Sequence, residues 1–163
     1  MSATRKKAAP PAAEADLGYA RLDLDRQRRR GLPEVVYGAG KTASQLAAIL
    51  ARLNAAGQNA FATRVTPEQA DAVRAKLPAA VYDPVSRTLR SDIAPLPRPR
   101  GSVAVLCAGT ADVPVAEEAA VTATRMGARV ERIYDVGVAG LHRLLNRLPR
   151  LRAARAIVVV AGM

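Results

Sequence analysis

Three short stretches of small residues carry most of the chemical promise of this chain: Ala108-Gly109-Thr110-Ala111-Asp112, Asp135-Val136-Gly137-Val138-Ala139-Gly140 and Ala161-Gly162-Met163. Small side chains let a ligand approach the backbone closely. The first two stretches open helical patterns, and free N–H groups at a helix start suit a phosphate. Thr110 adds a hydroxyl, and the Asp112 carboxylate can accept hydrogen bonds from ribose hydroxyls. The alternative is that Gly109 and Gly140 are turn residues and Asp112 is a helix cap. His142 is the only histidine. It is placed to act as a general acid or base near neutral pH, or else to pack on a Leu-rich helix. Arg143 beside it can pair with a phosphate or carboxylate, or join Arg147 and Arg150 on a solvated face. Cys107 ends an apolar run, which fits buried packing better than nucleophilic chemistry.

A second glycine turn, Gly38-Ala39-Gly40-Lys41-Thr42, lies earlier. It is not a phosphate-binding Walker loop, because Val35 stands where that motif needs its first glycine. It fits a looser Gly-x-Gly-x-x-Ala pattern ending at Ala43, with Arg64 where an acidic ribose reader is expected. A plain helix-opening turn explains the same residues.

The elements that must position these residues follow a strand–helix rhythm. Residues 1–15 read as a disordered basic tail of Ala, Pro and Lys. Residues 16–33 read as an arm that Leu17, Tyr19, Leu22 and Leu24 could anchor. Val35–Tyr37 is a strand, and Thr42 caps a helix to about Asn54 with Leu46, Ile49, Leu50 and Leu53 at helical spacing. Asn59–Val65 is a second strand, and Thr66-Pro67 starts a second helix. Ala80–Tyr82 and Thr88–Arg90 form a hairpin, completing a small N-terminal α/β domain over 16–92. Three prolines make 93–101 an extended linker. Residues 102–163 restart the rhythm: strand Ser102–Cys107, helix Pro114–Met126 with Asp112 as N-cap, strand Arg129–Val136, helix Gly140 to about Leu148 interrupted by Pro149, and strand Ile157–Val160. Strands without polar alternation predict burial on both faces, hence a doubly wound parallel sheet. The expected fold class is α/β: a small βαβα unit followed by the start of a doubly wound parallel sheet, which this sequence leaves incomplete.

Composition narrows the partners. Of the 163 residues, 50% are hydrophobic but only 3% aromatic, so the core must be built from aliphatic side chains. The net charge of +11 suggests an anionic partner. Eight of the positive charges fall in two stretches, Arg5, Lys6 and Lys7 and then Arg143, Arg147, Arg150, Arg152 and Arg155. No aromatics interleave with them to stack bases, so nucleic acid is not the expected partner. No apolar run reaches the roughly 18 residues that would cross a bilayer. One cysteine permits no intrachain disulfide, which fits a reducing cytoplasm.

The run VLCAGTADVPVAEEAAVTATRMGARVERIYDVGVAGLHRLL resembles the LarB family of nickel-pincer cofactor biosynthesis proteins. GLPEVVYGAGKT, NAFATRVTPEQA and the closing IVVVAGM resemble it as well. The likeness runs from about Asp16 to Met163. It implies a carboxy-terminal domain similar to PurE, the carboxyaminoimidazole ribonucleotide mutase, with a flavodoxin-like sheet. It implies carboxylation of the pyridinium ring of nicotinic acid adenine dinucleotide, with phosphoanhydride cleavage to pyridinium-3,5-biscarboxylic acid mononucleotide and AMP. Residues 108–112 would be the phosphoribosyl-binding loop, and 135–143 the second wall, with His142-Arg143 echoing a His-Arg pair of PurE. Asp112 and His142 would be catalytic. Ala108, Gly109, Thr110, Ala111, Asp112, Asp135, Gly137, Val138, Ala139, Gly140, Arg143 and Gly162 would hold the substrate. PurE usually has a serine where Ala111 stands. The family implies no tightly bound cofactor, Mg2+ as a candidate aid to phosphoanhydride cleavage, CO2 or bicarbonate as co-substrate, and a homo-oligomer. Family members continue past Gly-Met with a glutamate and, later, a cysteine that adds to the ring; Cys107 does not correspond to that cysteine.

Overall fold

The computed structural model describes residues 13–162, so most of the expected basic tail lies outside the described residues. Two α/β units follow one another along the chain. The first begins with an antiparallel hairpin, β1 (Glu14–Asp16) and β2 (Arg21–Asp23), then a short helix α1 (Arg26–Arg30). The expected arm is thus regular structure. Ala15 and Leu22 face each other across the hairpin and enter the core, with Leu17 and Leu24 packed beside them. Tyr19 is half exposed and is held through its hydroxyl, which donates to Gln45 O at 3.4 Å, and not by burial.

The unit continues as β3 (Val36–Tyr37), α2 (Ala43–Ala55), β4 (Ala60–Thr63), α3 (Pro67–Lys76), β5 (Val81–Asp83) and β6 (Thr88–Ser91). The sheet order is β3-β4-β6-β5, with β3 and β4 parallel and the other neighbours antiparallel. Both helices start as their sequences dictate. Thr42 accepts from the Gln45 amide while the Gln45 side chain accepts from the Thr42 amide, and Thr66 and Gln69 repeat this capping box. Each box satisfies donors that would otherwise be orphaned, worth about 1 kcal/mol. Leu46, Ile49, Leu50 and Leu53 form the buried stripe of α2, and fully burying each contributes on the order of 2 kcal/mol.

Residues 93–101 contain no helix or strand, as three prolines require. They are nonetheless pinned. The Arg100 amide donates to Gly127 O at 3.0 Å, and Pro97 packs against Gly127. Arg125, only 4% exposed, ion-pairs through two nitrogens with Asp92 and lies 4.9 Å from the centre of the Phe61 ring. Arg64 and Glu118 form a second link between the units, at 2.5 Å.

The second unit comprises β7 (Ser102–Cys107), α4 (Val113–Arg125), β8 (Arg129–Ile133), α5 (Leu141–Leu145), α6 (Leu148–Ala153) and β9 (Ala156–Val160). All three strands are parallel, in the order β8-β7-β9. Side chains alternate along β7. Val105 and Cys107 pack with Ala116 and Ala120 of α4, whereas Ala104 and Leu106 pack with Leu151 of α6 and Leu144 of α5. Helices therefore cover both faces of the central strand, as the doubly wound α/β reading requires.

Three expectations are corrected here. The single helix from Gly140 to Leu148 is two short ones, because Pro149 opens a new helix at its first turn instead of merely ending the old one. Strand β8 stops at Ile133, three residues before the expected Val136. Strand β9 is not buried on both faces: Ile157 is 50% and Val159 67% exposed, on the face shared with Ala104 and Leu106.

Candidate functional site

The carboxyl ends of β7, β8 and β9 lie along one edge, because the three strands are parallel and paired through Leu106↔Ile133 and Cys107↔Val160. Open parallel sheets bind ligands at such an edge. The loops beyond these strands are tied to each other by backbone hydrogen bonds. The Ala108 amide donates to Val160 O, the Val136 amide to Cys107 O, and the Gly137 amide to Ala108 O, all between 3.0 and 3.1 Å. A cavity of about 850 Å³ opens over them, within the size range of small-molecule sites. Its floor and walls include Leu106, Val136, Val138 and Val159; its polar groups are Thr110, Asp112 and Arg143 together with loop backbone.

Asp112 connects two of the loops. One carboxylate oxygen accepts from the Gly109 amide at 3.0 Å, and the other from the Gly162 amide at 2.9 Å. The side chain makes no capping bond to α4. A single-turn 3-10 helix, Thr110–Asp112, leads into α4, and the amides at its start have no acceptor one turn earlier. Gly137 is required by close approach: a Cβ there would stand 2.9 Å from Ala108 O.

Residues 14–92 match the model of the LarB/PurE-like N-terminal domain. Over an alignment of 152 positions that covers 88% of the chain, the sequence is 38% identical to an uncharacterized protein of Methanocaldococcus jannaschii. The chain spans 59% of the length of that relative. The family match falls on the first unit, and the edge cavity belongs to the second. The LarB resemblance drawn from the sequence is thereby supported from the half that does not hold the cavity.

Of the residues singled out in this LarB-like sequence, Ala108, Gly109, Thr110, Ala111, Asp112, Gly137, Val138, Ala139, Arg143 and Gly162 line the one cavity. Asp135, Gly140 and His142 do not. Asp135, in a left-handed conformation (φ 57°), ion-pairs with Arg143. Gly140 is buried beneath the Arg143 guanidinium, whose Cζ would lie 2.9 Å from any Cβ placed there. Gly140 thus makes room for an arginine. His142 is exposed on α5. The second loop leads into a single 3-10 turn and a five-residue helix, so it offers a weaker dipole than the expected longer helix.

Arg143 does not form a solvated basic face with Arg147 and Arg150: Arg143 pairs with Asp135, and Arg150 with Glu131. Cys107 is fully buried against Ala116 and Ala120, the packing role its apolar run suggested. Sequence reasoning missed the Glu117–Tyr134 contact, 2.9 Å between phenol and carboxylate, with Arg132 on the same carboxylate at 3.0 Å. Burial, reinforced by the hydrogen bond to Glu117, holds the Tyr134 phenol well above its usual pKa. It also missed the double role of Asp112, for which the only signal was a carboxylate three residues after a glycine.

Proposed function

We propose that the edge cavity is the phosphoribosyl half of a LarB-type active site. In this reading the whole protein carboxylates the pyridinium ring of nicotinic acid adenine dinucleotide, using CO2 or bicarbonate. It also hydrolyses the phosphoanhydride, giving pyridinium-3,5-biscarboxylic acid mononucleotide and AMP. The observation that carries the reading is the gathering of three small-residue loops around one cavity. The N-terminal domain match agrees with a carboxylase-related family.

The chain's own residues then have definable tasks. The loop at Gly109-Thr110-Ala111 presents amides and the Thr110 hydroxyl to the ribose phosphate. Asp112 fixes the loop and offers its remaining lone pairs to ribose hydroxyls. Arg143 supplies positive charge next to the phosphate, held in place by Asp135. The apolar wall of Val136, Val138 and Val159 lowers the local polarity around the ring. A pyridinium carbon becomes nucleophilic towards CO2 once a thiolate has added to the ring; in the family that thiolate comes from a later cysteine. Loss of the ring proton to a base and expulsion of the thiolate then restore the aromatic ring; the candidates for the base are the family's later glutamate and His142, which in the described structure is exposed outside the cavity lining. Among the described residues no three His, Cys, Asp or Glu side chains converge as metal ligands. No step is routed through Mg2+. Among the described residues, too, no helix is long and apolar enough to cross a membrane. Self-association and a cytoplasmic location belong to the same proposal.

The test is incubation of the full-length protein with nicotinic acid adenine dinucleotide and isotopically labelled bicarbonate, followed by mass spectrometry. AMP and a mononucleotide carrying the label are expected, with turnover lost in Asp112→Ala. Absence of both products would remove the reading. Conversion of carboxyaminoimidazole ribonucleotide instead would point to purine synthesis.

A further inference from the structure

The glycine turn in the first unit has a cavity of its own, about 590 Å³, at the carboxyl ends of the parallel strands β3 and β4. None of its lining residues belongs to the edge cavity of the second unit. Three cations face it: Lys41 from the turn, Arg64 just after β4, and Arg87 from the turn between β5 and β6. The Val65 amide donates to Arg87 O at 2.8 Å, which brings the two arginine-bearing segments side by side. The Lys41 ammonium lines the cavity and donates to Tyr37 O at 2.8 Å. The turn is held from behind by Gln69, whose amide nitrogen donates to Gly38 O at 3.0 Å and Lys41 O at 2.7 Å.

Two carboxylates lie near these cations. Glu118 takes up Arg64. Glu68 itself lines the cavity, where the Thr66 hydroxyl and its own amide engage it and hold its pKa below the usual value. Among the described residues Lys41 and Arg87 form no ion pair. Two cations converging on a cavity, with no acid of their own, match a compact anion. The cavity also exposes an aromatic face: Tyr37 is 59% exposed in a chain with only four tyrosines, one phenylalanine and no tryptophan. An exposed ring beside an anion site suits a ligand that is flat at one end and phosphorylated at the other.

We propose that this cavity binds a nucleoside monophosphate, its base on the Tyr37 ring and its phosphate between Lys41 and Arg87. The proposal stands apart from the activity proposed for the second unit, since it rests on different residues. The Gly-Ala-Gly turn itself supplies no specificity: a Cβ at Gly38 would lie 2.9 Å from Thr63 O, so that glycine serves strand packing.

Titration calorimetry of the full chain tests this with AMP, adenosine and inorganic phosphate as probes. AMP should bind more tightly than either fragment, and on the unaltered chain that comparison needs no variant. Lys41→Gln/Arg87→Gln should remove one binding event or weaken it by about tenfold or more, as loss of charge-assisted contacts does. Tyr37→Leu should weaken AMP severalfold while leaving phosphate binding alone, and Arg143→Gln should leave this event unchanged. If AMP does not bind, or adenosine binds as well as AMP, the phosphate site is wrong. If inorganic phosphate binds as well as AMP, the base-stacking half is wrong. If Arg143→Gln removes the only event and the double variant does not, the binding belongs to the other edge.

Discussion

Replacing Asp112 by alanine tests the claim that this side chain welds two loops rather than capping a helix. Its two oxygens accept from the Gly109 and Gly162 amides at 3.0 and 2.9 Å. A hydrogen bond to a charged acceptor is worth roughly 1.5–3 kcal/mol net. Gly162 is exposed, so the lower end applies. Two such bonds at the lower figure give a loss of about 3 kcal/mol for Asp112→Ala. Asp112→Asn keeps one acceptor and turns an NH2 towards the second amide, so it should lose about half of that or more. Urea unfolding gives the stability change, and hydrogen exchange at the Gly109 and Gly162 amides locates it. A loss of about 3 kcal/mol in local opening corresponds to roughly a hundredfold faster exchange. If Asp112→Ala exchanges at both amides as the parent does, and its stability moves by less than about 0.5 kcal/mol, the weld does not exist. A helix-capping role would instead loosen the first turn of α4 and leave Gly162 untouched.

Other changes probe the frame. Arg125→Ala should destabilise by about 3 kcal/mol in thermal or urea unfolding, because it strands Asp92 and removes the cation from the Phe61 ring. Arg125→Lys should recover only part of this, since an ammonium cannot engage both carboxylate oxygens in parallel. Gly137→Ala places a methyl 2.9 Å from Ala108 O and should cost about 1–3 kcal/mol while lowering ligand affinity at the edge cavity. Burial raises the pKa of Glu34, whose Oε2 has no hydrogen-bond partner and lies 3.7 Å from Arg26. The folded state therefore holds this proton more tightly than the unfolded one, and stability falls as pH rises from the unfolded pKa through the raised folded one. Glu34→Gln should remove that slope and be more stable than the parent at pH 7, with the difference vanishing at acidic pH; equal slopes in the two proteins would show that Glu34 is not the cause.

Most of the β/α rhythm was legible because it is written in local terms. Thr42 and Thr66 each stand three residues before a glutamine, and both capping boxes form. Two apolar runs of the second unit, Ser102–Cys107 and Ile157–Val160, show no polar alternation and became parallel strands, and the charged Arg129–Ile133 completed the sheet. What escaped was set by partners distant in sequence. In the hairpin at Glu14–Asp23 Leu22 was a candidate anchor, but its core partner Ala15 was hidden among charges at the end of the expected disordered tail. Arg143 looked like a phosphate ligand or a surface charge, and only the fold sets Asp135 beside it and Gly140 beneath it. Most residues expected at the site do share one cavity, yet His142 stands outside it, because α5 is only five residues long and turns that side chain to solvent.

The two units solve the same problem with different materials. Each sets a small-residue turn at the carboxyl end of parallel strands and opens a cavity there. In the second unit the turn is held by a carboxylate, Asp112, and the cavity is walled by valines. In the first it is held by the neutral amide of Gln69 and rimmed by Lys41, Arg64 and Arg87. A carboxylate clamp spends negative charge beside the ligand, so an anion at the second cavity must rely on backbone amides and Arg143. A neutral clamp adds no charge of its own to the first cavity, where Lys41 and Arg87 form no ion pair among the described residues, although Glu118 takes up Arg64 and Glu68 lies in the lining. The first cavity should thus lose anion affinity steeply with added salt, because exposed charges are screened within about 10 Å at 0.1 M. The second should lose less, its amides being fixed dipoles at contact range. Parallel calorimetric titrations at low and high salt separate the two, and equal salt slopes would mean that the difference in clamps has no electrostatic consequence.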